Sequence, residues 1–340
     1  MTFAADLLAD PEWLAHRFVE SDDTFRFVHV PRSVHAGVPF LTDQYLGERQ
    51  TGGDVPAREC LALRADARLG YLFHSAFCGS TMLVRALDRI GAAMGLSEPL
   101  VLNDVVGFRR RGADPRAVAR AADAATRLLA RPFGPGEMVV VKPSNLINPL
   151  AELLLALRPQ APALFLYAPL ETFLISVARK GLGCRLWVRE LLEGYLHEGF
   201  VDLGFSMQDH FRQSDLQVAA VGWLAQHRHF ARLAQRLGPE RLRSLDADRM
   251  TARPGEAIAA VASHFGIGLS PAETEEITTG PAFSRHSKSG ASFTPEDRRS
   301  EYAAARAAHG EEIAMVLEWA AAVADGAGVA MEGPFPLLQA

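Results

Sequence analysis

The sequence predicts an α/β fold, a parallel sheet flanked by helices with a helical elaboration, and three observations carry that prediction. Apolar runs at 69–74, 138–142 and 163–167 have the length and the β-branched or aromatic content of buried strands. Each is followed by apolar residues at helical spacing, as in Met82, Leu83, Ala86 and Leu87. Strands alternating with helices pair in parallel, because the intervening helix returns the chain to the same end of the sheet. The third observation is local. The first strand breaks at Gly79-Ser80-Thr81 and restarts at once as a helix, which leaves backbone N–H groups unpaired at the positive end of a helix dipole, where an oxyanion binds.

Composition narrows the function classes. A chain of 340 residues with 49% hydrophobic content can bury a large core. Its net charge of −5 gives no global basic face, so no nucleic-acid partner is expected and any anion site must be local. No run reaches the roughly 18 apolar residues of a membrane span, and Asp6, Asp10 and Glu12 stand where an export signal would be basic. Cys60, Cys78 and Cys184 are odd in number and far apart, which suits a reducing, cytoplasmic setting. His227 and His229 lie two apart on a helix and so point to different faces, and Cys-x-x-Cys is absent; no metal site is expected. Lysine occupies only three positions, Lys142, Lys180 and Lys288, among 35 basic residues. Each stands in or beside a loop that other signals also single out.

Residues 1–65 read as an N-terminal cap: a short helix from Pro11 to Phe18, an extended piece from Thr24 to Val30, and a Gly/Pro-punctuated stretch from Gly37 to Pro56. Residues 66–330 form the main domain. Its predicted order is strand 69–74, helix 80–92, an arginine-rich helix 115–131, strand 138–142, helix 147–157, strand 163–167 and helix 170–180. A helical insertion follows at about 185–240, broken around Gly199 to Asp209. Then come a strand at Leu242 to Leu245, a helix from Pro254 to Phe265 stopped by Gly266, a polar loop from Thr278 to Pro295, and a last helix to about Asp325.

The strands ending at His74, Lys142 and Tyr167 deliver their loops to one edge of the sheet, where doubly wound folds bind ligands. The first loop, Ser75, Ala76, Phe77, Cys78, Gly79, Ser80 and Thr81, is the candidate anion cradle, although Gly, Ser and Thr there also satisfy turn and N-cap chemistry alone. It is no ATP loop of the Walker kind, which has Gly where His74 stands and Lys where Ser80 stands. In the second loop Lys142 can sit over an anion while Ser144 and Asn145 supply polar groups; a snorkelling lysine followed by a turn is the competing reading. In the third, Ser176, Arg179 and Lys180 come within reach of a second anionic group, or else complement the helix C-terminus. Downstream, Arg285-His286-Ser287-Lys288-Ser289-Gly290 reads as a phosphate clamp or as a solvated polar loop.

Taken together, these loops resemble the sulfotransferase family over roughly residues 69–295. Ala76-Phe77-Cys78-Gly79-Ser80-Thr81 is similar to the family's Pro-Lys-Ser-Gly-Thr-Thr loop in its Gly and hydroxyl pair, and Glu98-Pro99 to a Glu-Pro after the first helix. Lys142 resembles the lysine of the Lys-x-His element, the 167–176 loop the Arg-x-Pro-x-Asp-x-x-x-Ser element, and Arg285 to Gly290 the final basic loop. The resemblance implies a P-loop NTPase-like α/β fold, 3'-phosphoadenosine 5'-phosphosulfate as donor, no metal, and a small-molecule or peptide acceptor with no nucleic acid or membrane partner.

It also implies roles. Residues 75–81, Ser176, Arg179, Arg285 and Lys288 would hold the donor; Lys142 would face the transferring group with Ser144 beside it, and His74 or Glu98 would be the base. The chain departs from the pattern at Phe77, where the family has the cradle lysine, at Ser144, where it has the histidine, and at Tyr167, where it has the arginine. Two other classes compete: a P-loop kinase or NTPase, which needs an acid ending a buried strand to orient magnesium, and a nucleotide-binding module that kept the fold without the chemistry. The sequence names neither the acceptor nor an oligomeric state.

Overall fold

A computed structural model describes residues 4–64, 68–284 and 295–339. The first three strands, β1 (Trp13–Val19), β2 (Thr24–His29) and β3 (Thr51–Pro56), form an antiparallel meander. Five more, β4 (Leu69–His74), β5 (Ala93–Ser97), β6 (Met138–Lys142), β7 (Ala163–Tyr167) and β8 (Leu242–Asp246), form one sheet in the order β5-β6-β4-β7-β8, with every pair parallel. All residues of β4, β6 and β7 are buried, as expected for strands covered on both faces. The sheet is parallel as predicted, with one strand, β5, beyond those expected, and it brings the carboxyl ends of β4, β6 and β7 to one edge.

Several predicted elements change identity. Pro11 to Phe18 is not a helix: Trp13–Val19 is β1, because its aromatic and β-branched residues pair with Thr24–His29 across a tight turn in which Asp23 takes φ +51°. The helix expected over 80–92 ends at Leu87, where Asp88 turns extended. The chain reverses at Gly91, φ +82°, and enters β5, a strand the periodicity did not announce. Gly95 lets β5 lie against that helix, since a Cβ there would come within 2.7 Å of the Val84 carbonyl. A helix at Leu100–Arg110 was also unannounced. The segment expected as helix 147–157 begins as a 3-10 turn, Asn145–Leu150, before the α-helix Ala151–Leu157. Of the polar loop expected from Thr278 to Pro295, the part up to Ser284 lies in helices Pro271–Thr279 and Pro281–Ser284, and the rest lies outside the described residues.

The meander is fixed to the main sheet's outer helices rather than to the sheet. Phe18 meets Phe108 edge-on at 5.4 Å, Arg17 Nε donates to Asp104 at 2.8 Å, and Arg131 caps the carbonyls of Leu7, Asp10 and Trp13. On one face of the sheet the long helix Asp215–Leu237 lays Trp223, His227 and Phe230 against Tyr167, Phe165 and Phe73. The exposed edge of β8 is closed by the C-terminal segment, with Ser244 N–H donating to Phe335 O and Leu337 N–H to Ser244 O. Among the described residues no helix is long and apolar enough to cross a membrane.

Candidate functional site

The cradle is a strained loop. Between β4 and the helix Ser80–Leu87, Ala76 (φ +73°), Phe77 (φ +52°) and Gly79 (φ +78°) all adopt left-handed backbone. Two of the three carry side chains, and a non-glycine residue in that region costs on the order of 1–2 kcal/mol. Gly79 is the helix N-cap and makes no side-chain cap bond; a Cβ there would add strain and meet Met250 Cε at 3.3 Å. Among the described residues, no backbone carbonyl takes the N–H groups of Phe77, Gly79 or Thr81, and those of Cys78 and Ser80 lie toward the Cys78 thiol. A run of N–H groups in such a conformation forms an anion-binding concavity. Ser75, Cys78, Ser80 and Thr81 are buried, and burial raises the Cys78 thiol, against the lowering influence of Ser80 and of the Lys142 charge.

His74 holds the entry to this loop. Its Nδ1 accepts from Ala76 N–H at 3.1 Å; a backbone N–H can only donate, so the neutral ring carries its proton on Nε2, which donates to Pro143 O at 3.1 Å. The carbonyl of His74 accepts from Asn148 Nδ2 at 3.1 Å, and the same amide donates to Gln226 Oε1 at 2.7 Å. This clamp of Asn148 and Gln226 lies on segments that the motifs did not reach.

Next to it, Lys142 is fully buried and its ammonium pairs with Glu98 Oε1. Glu98 sits just beyond β5, at φ +51°, and its N–H donates to Lys142 O at 2.6 Å. Glu98 Oε1 also lies 3.9 Å from His74 Nε2, and the Lys142 ammonium lies 4.8 Å from the centre of the Phe40 ring. His74, Glu98 and Lys142, taken from three separate stretches of sequence, thus form one cluster beneath the cradle. Ser144 is half-buried two residues on, and among the described residues neither the buried Asn145 Nδ2 nor the buried Ser97 Oγ has a partner.

The third loop is arranged differently. Ser176 Oγ donates to Thr172 O at 3.0 Å within its own helix, and Arg179 pairs with Glu301 of the last helix at 2.6 Å. Tyr167 is buried, its hydroxyl pushed up to about 12 by desolvation. Lys180, one residue further, places its ammonium 5.4 Å from the centre of the Phe77 ring, and Phe77 packs on Phe173 and Trp187. The structure therefore brings a lysine to the cradle residue that lacks one. Arg285 and Lys288 lie outside the described residues. Among the described residues there is no group of three or more His, Cys, Asp or Glu side chains arranged to hold a metal ion.

No family model matches the chain, and no curated protein does. Solved sulfotransferase structures are among those it is similar to. STF1 from Mycobacterium tuberculosis shares 16% identity, with 65% of this chain and 73% of that chain covered at a TM-score of 0.40. The sulfotransferase domain from the curacin biosynthetic pathway shares 14%, with 68% and 86% covered at 0.42. STF9 from Mycobacterium avium shares 13%, with 74% and 79% covered at 0.42.

Proposed function

We propose that this protein transfers a sulfuryl group from 3'-phosphoadenosine 5'-phosphosulfate to a hydroxyl of a small-molecule or peptide acceptor. One observation carries the reading: a left-handed loop with N–H groups that no backbone carbonyl takes opens a helix directly above a buried lysine paired to a carboxylate. Backbone N–H groups there fit the donor's oxyanions. Sulfuryl transfer breaks the sulfur–oxygen bond to the donor phosphate and forms one to the acceptor oxygen. Lys142 faces the charge that develops on the leaving phosphate, and Glu98 takes the acceptor's proton.

His74 shapes the loop in this scheme, because both its ring nitrogens bond to backbone groups. Ser144 lines the cluster. Lys180 contributes the positive charge that the cradle sequence lacks at Phe77, and Ser176 and Arg179 serve helix packing. The Arg285 and Lys288 loop is proposed, from its sequence alone, as a second phosphate contact.

The kinase or NTPase reading is weaker for a specific reason. Of the two acids at carboxyl ends of the parallel sheet, Glu98 is paired to Lys142, and Asp246 caps the next helix by accepting from Asp248 and Arg249 N–H. A thermal-shift comparison of 3'-phosphoadenosine 5'-phosphate with ATP and magnesium separates the two. A rise in Tm with the first is expected; no rise with it and a clear rise with the second would overturn the proposal.

A further inference from the structure

Away from the cradle, a cleft of about 390 Å³ opens between the ends of helices Leu100–Arg110 and Gly181–His197 and one side of Asp215–Leu237. The long helix presents Arg228, His229 and Arg232 to it, a different face from the one that packs Trp223, His227 and Phe230 on the sheet. Arg109, Glu198 and Asp202 complete the polar lining.

The charges in this cleft do not cancel. Glu198 is shared by Arg109 at 3.4 Å and Arg110 at 2.7 Å, and Asp202 by Arg228 at 3.0 Å and Arg232 at 3.5 Å. Arg110 stands outside the lining, so Arg109, Arg228 and Arg232 face two carboxylates in the cleft, which leaves one positive charge, and two once Asp202 swings away, in a chain whose net charge is −5. His229 adds a further polar group: its Nε2 is buried without a partner among the described residues, and burial holds the ring neutral, with its pKa lowered to about 4. The two carboxylates also differ in environment. The side chain of Glu198 is 2% exposed and fixed, whereas that of Asp202 is 66% exposed and can leave its arginines for solvent.

We propose that this cleft binds a dianionic organic oxyanion, which displaces Asp202 and takes its place on Arg228 and Arg232. Guanidiniums one helical turn apart match two oxygens of a phosphate ester or of a dicarboxylate, and the cleft volume lies in the range of small-ligand sites. The site is separate from the transfer reading and does not depend on it.

Calorimetric titration of the full chain tests it, with phenyl phosphate in one arm and succinate in the other to separate the two sources of dianion. Binding of at least one probe is expected. Arg232→Ala should weaken it about tenfold, the order of one charge-assisted hydrogen bond. Asp202→Asn should tighten it, because the competing carboxylate is gone. Arg232 is 57% exposed, so its loss leaves the core untouched, and Arg109→Gln is a second variant expected to weaken binding. Absence of binding for both probes, or equal affinity in the wild type and Arg232→Ala, overturns the proposal. Binding lost in Gly79→Ala but kept in Arg232→Ala belongs to the cradle and overturns it as well.

Discussion

Lys142 and Glu98 are joined twice: the ammonium pairs with the carboxylate, and the N–H of Glu98 donates to the carbonyl of Lys142 at 2.6 Å. The backbone bond continues the parallel ladder of β5 and β6 one step past Ser97 and so brings the carboxylate over the lysine at the sheet's edge. Burying an ammonium is costly unless it is paired, and the pair is tolerated here because both partners are set by the same ladder.

Removing one partner should therefore cost more than removing both. Glu98→Ala takes the carboxylate away from a buried ammonium and is expected to destabilise the fold by about 3–5 kcal/mol. Glu98→Leu combined with Lys142→Met should recover most of that loss. Urea denaturation of the two variants checks this, and equal losses would show that the pair is not the source of the effect.

Lys142→Ala should abolish measured sulfuryl transfer while leaving 3'-phosphoadenosine 5'-phosphate bound, because the cradle's N–H groups remain in place. Gly79→Ala should do the reverse in binding. It forces a Cβ onto a residue at φ +78° and against Met250 Cε, with an expected cost of about 1–2 kcal/mol and loss of the nucleotide-induced rise in Tm. Retained binding in Gly79→Ala would separate the strained loop from the anion site.

Lys180 and Arg179 are neighbours in sequence with opposite expected phenotypes. Lys180→Gln should weaken nucleotide binding about tenfold and reduce its dependence on salt, because the ammonium stands over Phe77 at the cradle. Arg179→Gln removes a half-exposed pair with Glu301 and should cost under about 1 kcal/mol of stability with binding unchanged. Titrations at two ionic strengths distinguish the two residues.

Stability should fall in acid through buried histidines, among them His35, His227 and His229. Burial lowers His35 to about 4, His227 to about 3 and His229 to about 4, against an ordinary value of 6.5. Below pH 6.5 the unfolded chain binds protons that the folded one refuses, so stability is full above that pH and is lost as pH falls toward 4 and then 3. Each histidine contributes a slope of about 1.4 kcal/mol per pH unit at most. His227→Phe should flatten the slope measured by denaturation between pH 6 and 4; an unchanged slope would exclude His227 as a source.

What the sequence determined by itself is the parallel core. The runs ending at His74, Lys142 and Tyr167 are continuously apolar because both their faces are covered, and such runs are legible without knowledge of their neighbours. The turn between Leu69–His74 and Ser80–Leu87 was equally legible, since a strand, a small-residue turn and an amphipathic helix are local events. Trp13–Val19 and Ala93–Ser97 were not, because short segments with mixed patterning take their identity from the strand beside them, β2 in one case and β6 in the other. The left-handed conformation of Ala76 and Phe77 has no glycine to announce it, and the bond from Ala76 N–H to the His74 ring that accompanies it joins atoms only the folded loop brings together. Only the tertiary structure decided the partners: Glu98 for Lys142, Glu301 for Arg179, and Phe77 for Lys180. Long charged side chains choose among carboxylates and rings brought near by strand order and helix packing, and that choice is not written in the residues on either side of them.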